Sequence, residues 1–550
     1  MKTTFIFEDL NYKEVDGFPS KIKEYTDKEG KLTHVGYYIN GREQYVLLPK
    51  VFLEYDDGGK PKAFGNDLLD NRLCDDIVLN DAVQAVLEVL PSWYSRALNF
   101  YKDRNTTTNT VKKTDQNIVS SADKTDIPSL YECIFALESF YRHHKDLVLT
   151  VYHETHSGYD KINWHKTICK KQPLILPSNQ VFYYDTTSRK KSIDHDEELM
   201  VLFYNTLDYI YREFGYQIAD DEGLYELIPD EEFKDMVDEG EVISILESNQ
   251  NHYFSDIMVD LWQRLYQFHS RIDNVLHSHE NAEDYLLVSN FDPVFEDMVD
   301  FLISDREGDL LASKHQDDDK RIDHLFLGKS LFDPSKRIYY IGDSKYYSSK
   351  QEINGHSVGK QFTYVTNILK EAMSQSSVWK NHGIFYYDEE TDGFNLTPNF
   401  FLRGCYDYKS SNYENDKLTL VKQGNSVFKG RGCFFEDRLF DRNTLFLLEY
   451  SVNFLFLLKN YNEYDTFVGE LFKRKLENKV WGDMYLGLVE DYNFYKCNHL
   501  DDSFLQNHFR ELLGKILRFD EFDIIAVRNG DKIIEEIKKT QLHVWEHMIL

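Results

Sequence analysis

The chain has 550 residues, and its 94 Asp and Glu against 63 Lys and Arg give a formal net charge of −31. This acidity excludes a free-standing DNA-coating or membrane-surface protein. Hydrophobic residues make up 42% and aromatic residues 15% of the chain, which excludes disorder over most of its length and predicts roughly three or four packed units.

Cysteine usage and apolar stretches predict a cytoplasmic protein without a membrane partner. The six cysteines are scattered, without the paired spacing of a disulfide framework or a zinc ribbon, which fits a reducing compartment. Acids interrupt the first apolar stretch, so no secretion signal is expected. The most apolar stretch, 445–458, contains Glu449 and Asn453 and is shorter than the ~20 residues that span a bilayer. We predict a buried helix there.

Residues 1–103 are predicted to form a β-rich N-terminal domain. Two β-favouring runs flank Asn40-Gly41, the dipeptide that most readily supplies both positive φ angles of a type I′ hairpin turn. Apolar residues at helical spacing before Pro91 predict a helix that closes the domain.

The next two stretches are predicted as a linker and a mainly helical middle region. Residues 104–126 are rich in Thr, Asn, Ser and Asp and have almost no apolar residues, which is typical of a solvated linker. In the middle region, 127–285, Ser129 and Glu132 form a capping-box pattern that starts a helix. The stretch 220–247 holds twelve acids and one base and is interpreted as a solvated acidic face or tether.

The most informative region is 286–400. Its periodicity predicts a helix, two strands, a helix and a further strand, with the strands at 321–327, 337–347 and 383–387. Residues 401–550 are predicted to be mostly helical. The fold class is therefore α/β and α+β, in several domains.

Charged residues in this region suggest a metal-dependent hydrolytic site. Asp343 and Lys345 are two residues apart on a predicted strand and point to the same side, and Asp323 on the neighbouring strand can join them. Two carboxylates at one end of a sheet suit Mg²⁺, and a nearby lysine orients water and offsets negative charge during phosphodiester hydrolysis. Glu296, on the preceding helix, is a further candidate ligand. The alternative interpretation is an edge strand carrying a surface Asp–Lys pair.

These residues resemble known nucleases. The chain resembles the PD-(D/E)xK nuclease core at Asp323 and Asp343-Ser344-Lys345. It resembles the Q-x-x-x-Y-like helix of that core at Gln361 and Tyr364. LlaJI-type restriction endonucleases, relatives of the McrC nuclease subunit, are resembled more narrowly by Gly342-Asp343-Ser344-Lys345-Tyr346-Tyr347, Phe295-Glu296, Ile162-Asn163-Trp164 with Thr167-Ile168, and Leu439-Phe440-Asp441-Arg442-Asn443-Thr444-Leu445. The Gln–Tyr spacing is one residue shorter than in the pattern, and Ile322 stands where a proline often precedes the first acid.

The resemblance implies roles for particular residues. Asp323 and Asp343 would bind Mg²⁺, with Mn²⁺ as the alternative metal and Glu296 as a further metal ligand. Lys345 would assist the attacking water, and Gln361 would support the site or contact the DNA backbone. The implied activity is that of a metal-dependent endodeoxyribonuclease.

The resemblance also implies an architecture and partners. Residues 286–400 would form a PD-(D/E)xK restriction-endonuclease-like core, a mixed sheet flanked by helices. The chain would be a subunit of a restriction system that defends against phage. Its partners would be double-stranded DNA and a McrB-like AAA+ GTPase subunit, and self-association is one route to double-strand cleavage.

Two other functions remain open on the sequence. The chain could be a weakly catalytic or non-catalytic adaptor that docks on an AAA+ motor and stimulates it, or a nuclease that acts alone at junctions or single-stranded ends. It has no G-x-x-x-x-G-K-[ST] motif, so nucleotide hydrolysis would belong to a partner. Because the chain is so acidic, the partner is also expected to supply much of the DNA affinity.

Overall fold

The computed structural model describes residues 2–13, 15, 19–73, 81–107, 118–120, 128–145, 150–155, 161–193, 198–216, 218, 225, 227–253, 255–277, 283–305, 314, 322–348, 351–374, 383–386, 391, 393–407, 415–433, 435–461, 466–533 and 535. The strands are β1 Lys2–Phe7, β2 His34–Asn40, β3 Glu43–Leu48, β4 Leu53–Tyr55, β5 Pro61–Ala63, β6 Asn66–Asp67, β7 Arg72–Leu73, β8 Ile118–Ser120, β9 Thr150–Thr155, β10 Lys161–Ile162, β11 Leu174–Ile175, β12 Val181–Phe182, β13 Ser188–Ile193, β14 Glu283–Ser289, β15 His324–Lys329, β16 Arg337–Lys345, β17 Asn399–Cys405, β18 Leu418–Leu420, β19 Gly430–Gly432, β20 Leu445–Asn453, β21 Tyr492–Cys497, β22 Ile516–Arg518 and β23 Asp523–Arg528. The helices are α1 Ser20–Glu24, α2 Asp81–Thr107, α3 Leu130–His143, α4 Trp164–Lys170, α5 Glu198–Phe214, α6 Asp230–Asp238, α7 Glu241–Ser248, α8 Asp256–His277, α9 Asp292–Ile303, α10 Gly355–Ser374, α11 Phe454–Asn460, α12 Thr466–Val489, α13 Asp502–Asn507 and α14 Phe509–Leu512. The fold is therefore a mixed α/β fold, as expected.

The first large sheet is built mainly from the N-terminal part of the chain. Its six strands run in the order β7-β1-β3-β2-β14-β8, with β1 parallel to β3 and the other neighbours antiparallel. Strands β2 and β3 form the predicted hairpin, but its turn is shifted by one residue. Asn40 pairs with Glu43, and Gly41, with a φ of 60°, begins the loop.

This sheet also includes strands from later in the chain. Strand β14 pairs with β2 along its length, and β8 pairs with β14 on its other side. Strand β8 lies inside the predicted linker 104–126, of which 108–117 and 121–126 are outside the described residues. Helix α2 continues through Pro91 instead of ending before it, because packing of buried side chains such as Tyr94 outweighs the hydrogen bond that proline cannot make.

The middle of the chain combines helices with a small sheet. Helix α3 begins with the predicted capping box: the Ser129 hydroxyl accepts from the Glu132 amide at 3.3 Å, and the Ser129 amide donates to the Glu132 carboxylate at 2.7 Å. Helices α5 to α8 follow, and α6 and α7 carry many acids of the predicted acidic stretch. Strands β10, β13 and β9 form an antiparallel sheet, and β11 and β12 form a separate hairpin, so two small sheets accompany the helices that make up most of the described residues of this region.

The second large sheet has the order β15-β16-β17-β20-β18, and β19 also pairs with β20. Its central strands β16, β17 and β20 are parallel, whereas β15 and β18 run antiparallel to their neighbours. Its two faces belong to different cores. On β16, Tyr339 and Ile341 pack in one core with Val365 of α10, whereas Ile338 and Tyr340 belong to the larger core that includes α9. Helices α9 and α10 therefore cover opposite faces.

Three expectations about the second half of the chain are corrected. The stretch 445–458 is strand β20 followed by helix α11, because a strand covered on both faces is as uniformly apolar as a buried helix. Within 383–387, Ile384 forms only an isolated bridge to Arg337, and Tyr387 is outside the described residues; β17 is the strand that pairs with β16 in parallel. The described part of 401–550 contains β18 to β20 and the sheet β21-β23-β22, so it is not mostly helical.

Among the described residues, no helix has both the length and the apolar character needed to cross a membrane. The cysteines in that part of the chain are free thiols, namely Cys133, Cys169, Cys405, Cys433 and Cys497.

Candidate active site

The fold brings the two predicted aspartates together at one end of the second sheet. Strands β15 and β16 are antiparallel, and His324 pairs with Gly342, so Asp323, just before β15, lies beside Asp343 near the end of β16. The Ser344 amide donates to Oδ2 of Asp323 at 3.3 Å. Like charges that face each other on neighbouring strands repel, so this pair needs compensation by a proton or a cation.

The electrostatics of Asp323 show how strong this need is. Burial raises the pKa of Asp323 well above its usual range, the adjacent Asp343 raises it further through its charge and a hydrogen bond, and Glu296 adds to the effect. Lys345 acts in the opposite direction. The carboxyl pair therefore favours a bound proton or a bound cation, because both aspartates cannot ionise there without compensation.

Lys345 completes the predicted group. It forms an ion pair with Asp343, and both side chains are largely buried, at 16% and 9% exposed. Its Nζ lies 5.3 Å from the ring centroid of Phe401. Strand β16 lies between β15 and β17, so the alternative interpretation, a surface Asp–Lys pair on an edge strand, is wrong.

Gln361 is close to this site but directed into the protein. It is buried, and its Nε2 donates to Oδ1 of Asn399 at 2.8 Å. Asn399 is the register partner of Ile341 on β16, two residues before Asp343. The location of Gln361 fits support of the sheet, and the sequence-based role in DNA contact stays a prediction.

Lys360 is a basic residue of this site that the motif comparison missed. It precedes Gln361 at the exposed rim of α10, and its Nζ lies 5.3 Å from the ring centroid of Tyr364. A hydrogen bond with Tyr364 raises the pKa of Lys360, and the charges of Asp343 and Asp323 raise it further. Lys360 and Tyr364 are four residues apart and share a helix face, so the spacing of the Q-x-x-x-Y pattern is occupied here by a lysine and a tyrosine.

A second polar group lies on the α9 face, behind the aspartates. Nε2 of His324 hydrogen-bonds the Ser344 hydroxyl, and Nδ1 of His324 lies 3.4 Å from Oδ1 of Asp300, which is ion-paired with Lys314. Burial lowers the pKa of His324. Burial opposes ionisation of Asp300, but Lys314 and His324 hold its pKa below the usual range. In the sequence, strand alternation is the signal that could have indicated this second group. Neighbouring residues of a strand point to opposite faces, so Ser344 must point away from Asp343.

The donor atoms fit a hard divalent cation. Two carboxylates converge here, and the positive charge around them does not balance their negative charge. Carboxylate oxygens are ligands that suit Mg²⁺, which retains several waters when bound. Among the described residues, no group of three or more His, Cys, Asp or Glu side chains is placed to hold a metal ion. Asp323 and Asp343 would therefore be the carboxylate ligands, and Glu296, which acts on Asp323 through its charge, stays a prediction as a ligand.

Other residues of the family resemblance lie outside this site and have structural roles. The Asn163 side chain caps α4 by accepting from the Lys166 amide at 3.3 Å. The buried Thr167 hydroxyl accepts from the Thr187 amide at 3.1 Å, which fixes α4 to the small sheet. In the segment before β20, the Phe440 amide donates to the Gly514 carbonyl at 2.7 Å.

Helix α4 and the hairpin formed by β11 and β12 carry many exposed apolar side chains. We call this set the apolar hairpin surface; its exposed side chains are Trp164, Ile168, Leu174, Ile175, Leu176, Val181, Phe182 and Tyr184. Ile175 is 67% and Tyr184 78% exposed. Several exposed apolar side chains in one segment are typical of a site of protein interaction.

Comparison with known proteins gives a family and one distant structural likeness. The family model described as LlaJI restriction endonuclease matches residues 92–402, which is more than half of the chain. No curated protein matches the chain. A solved structure, the refined half-complex from a tetradecameric assembly of Thermococcus gammatolerans McrB AAA+ hexamers with bound McrC, is similar at 11% identity and a TM-score of 0.25, over 82% of this chain and 83% of that chain. The match to the family model confirms the resemblance found in the motifs: the chain belongs to the LlaJI restriction endonuclease family.

Proposed function

We propose that the chain is the Mg²⁺-dependent DNA endonuclease subunit of a cytoplasmic restriction system and hydrolyses DNA phosphodiester bonds together with an AAA+ GTPase. The observation that carries the proposal is the convergence of Asp323, Asp343 and Lys345 at one sheet end, in a chain of the LlaJI restriction endonuclease family. In this proposal the second sheet with α9 and α10 is a PD-(D/E)xK core.

Each residue of the site has a defined task in this proposal. Asp323 and Asp343 would hold Mg²⁺, or Mn²⁺ in its place. When bound, the metal would supply charge neutralisation at the phosphate and a more acidic water. Lys345 orients the attacking water and offsets charge in the transition state. Lys360, at the exposed rim, contacts a phosphate of the DNA backbone, and Gln361 holds α10 against Asn399.

Cleavage of supercoiled double-stranded plasmid tests the proposal. The full chain and its candidate GTPase would be incubated with Mg²⁺ and GTP, and wild type would be compared with Asp343→Ala and Lys345→Ala. We expect both variants to lose cleavage. Lys336→Ala is the matched control, because Lys336 forms a surface ion pair with Asp520 at 2.6 Å and lies before the same strand. Equal cutting by all four proteins would contradict the proposal.

The need for a partner is supported by charge and by surface composition. A net charge of −31 opposes binding to a polyanion, so a second protein would supply much of the DNA affinity. The apolar hairpin surface offers a place for that protein to dock. Self-association of two chains would allow both DNA strands to be cut.

The adaptor function is the second candidate, because the same apolar surface would also serve a chain that only stimulates a motor. Substituting Ile175→Ser and Phe182→Ser together should weaken binding to the GTPase without altering Asp343 or Lys345. If these substitutions remove GTPase stimulation while Asp343→Ala leaves DNA processing intact, the adaptor function is favoured. If Asp343→Ala abolishes cutting but retains GTPase stimulation, the nuclease function is favoured.

A further inference from the structure

The first sheet contacts the second sheet at the end of the strand that carries Lys345. Glu8 directly follows β1 and is buried, although it is a carboxylate. The hydroxyl of Tyr346, the residue after Lys345, donates to Oε2 of Glu8, and the Lys50 amide donates to the same oxygen at 3.3 Å. The Lys50 Nζ lies 4.7 Å from the ring centroid of Tyr346.

Tyr346 is held on its other sides by aromatic packing. Its ring centroid lies 5.5 Å from that of Phe291 and 5.8 Å from that of Phe295. The residue is 2% exposed, so few rotamers are open to it. Because Tyr346 immediately follows Lys345, contacts that hold the Tyr346 side chain also restrain the backbone next to the lysine.

We propose that Glu8 is a positioning residue for cleavage: by holding Tyr346 it fixes the end of β16, and with it Lys345 and Asp343. The N-terminal segment thus becomes part of the nuclease machinery, although it lies outside the 92–402 segment that matches the family model. This inference rests on the proposed function.

The chemistry of Glu8 suggests more than structural support. Burial raises the pKa of Glu8 to about 7, and this effect exceeds the opposing effects of Lys50 and Tyr346. Burial disfavours the ionised form of a carboxylate. Replacing a buried pair of this kind with apolar residues of similar volume often causes no loss of stability. Its presence is understandable if Tyr346 needs a fixed hydrogen-bond acceptor for activity.

The test is a double-variant cycle in the full chain with its GTPase partner, Mg²⁺ and saturating plasmid. Tyr346→Phe removes only the donor, and Glu8→Leu removes the acceptor. We expect each to lower the cleavage rate about tenfold or more, since small displacements of catalytic groups have effects of this size. The double variant should be no slower than the slower single variant, because both break one contact. Glu8→Gln retains an acceptor oxygen and should stay within about threefold of wild type.

Tyr38→Phe is the matched control, because the Tyr38 hydroxyl donates to Glu283 at 2.7 Å within the first sheet. It should cut like wild type. Melting temperatures and DNA affinities would be recorded for every variant. Each variant should remain folded at the assay temperature, and the fold-loss in cleavage rate should exceed the fold-change in DNA affinity.

The inference is overturned if Tyr346→Phe and Glu8→Leu cut within about twofold of wild type, or if their losses multiply in the double variant. It is also overturned if Glu8→Gln fails as fully as Glu8→Leu while remaining folded. If Asp343→Ala cuts as well as wild type, the proposed function itself fails. If Asp343→Ala is inactive and the cycle shows no coupling, only the positioning inference fails.

Discussion

The two faces of β16 differ in how their polar groups are matched. Toward α10, Asp343 lies beside Asp323, and Lys345 compensates the pair incompletely, so the pKa of Asp323 is raised. Toward α9, Ser344 is matched by His324 and Tyr346 by Glu8. Buried polar groups that hold a fold have partners, whereas unbalanced buried charge is typical of functional sites, and in the proposed function it serves to bind metal and phosphate. Residues one position apart on the same strand therefore have different tasks.

The largest expected effect is on the unbalanced face, the side of β16 toward α10 that carries Asp343 and Lys345. Lys345→Met keeps much of the side-chain length but removes the ammonium group beside Asp343. Cleavage by the full chain with the candidate GTPase should fall by about 10²- to 10³-fold, because in the proposed function the lysine offsets charge in the transition state. Rates at saturating Mg²⁺ and plasmid would be compared with those of the Lys336→Met control. A loss smaller than about fivefold would mean that Lys345 is not part of the chemistry.

On the matched face, the side of β16 toward α9, we instead expect an effect on the pH dependence of the free energy of unfolding. The folded-state pKa of Glu8 is raised from 4.5 to about 7, so its contribution to stability is complete below pH 4.5 and is lost as pH rises through about 7. The loss should approach about 3 kcal/mol above pH 7. Urea unfolding at pH 5 and pH 8 would measure it. Glu8→Gln should remove this pH dependence. An unchanged slope in that variant would contradict the assignment of the pH dependence to the buried Glu8 carboxylate.

A smaller effect is expected from the other pair on the matched face. Ser344→Ala removes the hydroxyl that hydrogen-bonds Nε2 of His324 and leaves a buried nitrogen without that partner. The free energy of unfolding should fall by about 1–3 kcal/mol. Chemical denaturation would show it, with Ser335→Ala as the control, because Ser335 is an exposed turn residue hydrogen-bonded to Asp333. A Ser344→Ala variant as stable as wild type would show that this pair is not a stabilising contact.

The smallest effect is expected at the rim of the unbalanced face. Lys360→Met should slow cleavage about two- to fivefold at moderate salt and reduce the salt dependence of DNA binding by about one phosphate contact. Lys370→Met is the control, since Lys370 is an exposed lysine of the same helix. If both variants show the same salt dependence as wild type, Lys360 does not contact the DNA backbone.

Local patterns were sufficient to predict the aspartate and lysine cluster. The two-residue period of a strand places Asp343 and Lys345 on one side, and an antiparallel neighbour that begins just after Asp323 brings this second carboxylate beside Asp343. In α10, the four-residue spacing to Tyr364 is occupied by Lys360, which the motif pattern does not indicate, and the role of Gln361 in contacting DNA stays a prediction.

Two features could not be read from local patterns. The contact between Glu8 and Tyr346 joins residues 338 positions apart, and no periodicity in one chain reveals such a pairing. The sequence of strand β20 predicts a helix, because complete burial removes the alternation that identifies a strand. Both follow from tertiary packing.

The most direct test is Mg²⁺-dependent cleavage of supercoiled plasmid by wild type and Asp343→Ala, each with the candidate GTPase and GTP, with and without a chelator. We expect wild type to produce cut plasmid in Mg²⁺ and none with the chelator, and Asp343→Ala to produce none in either condition. Cleavage by Asp343→Ala at the wild-type rate, or wild-type cleavage that survives chelation, would contradict the assignment of the Asp323–Asp343 pair as a metal-dependent nuclease site.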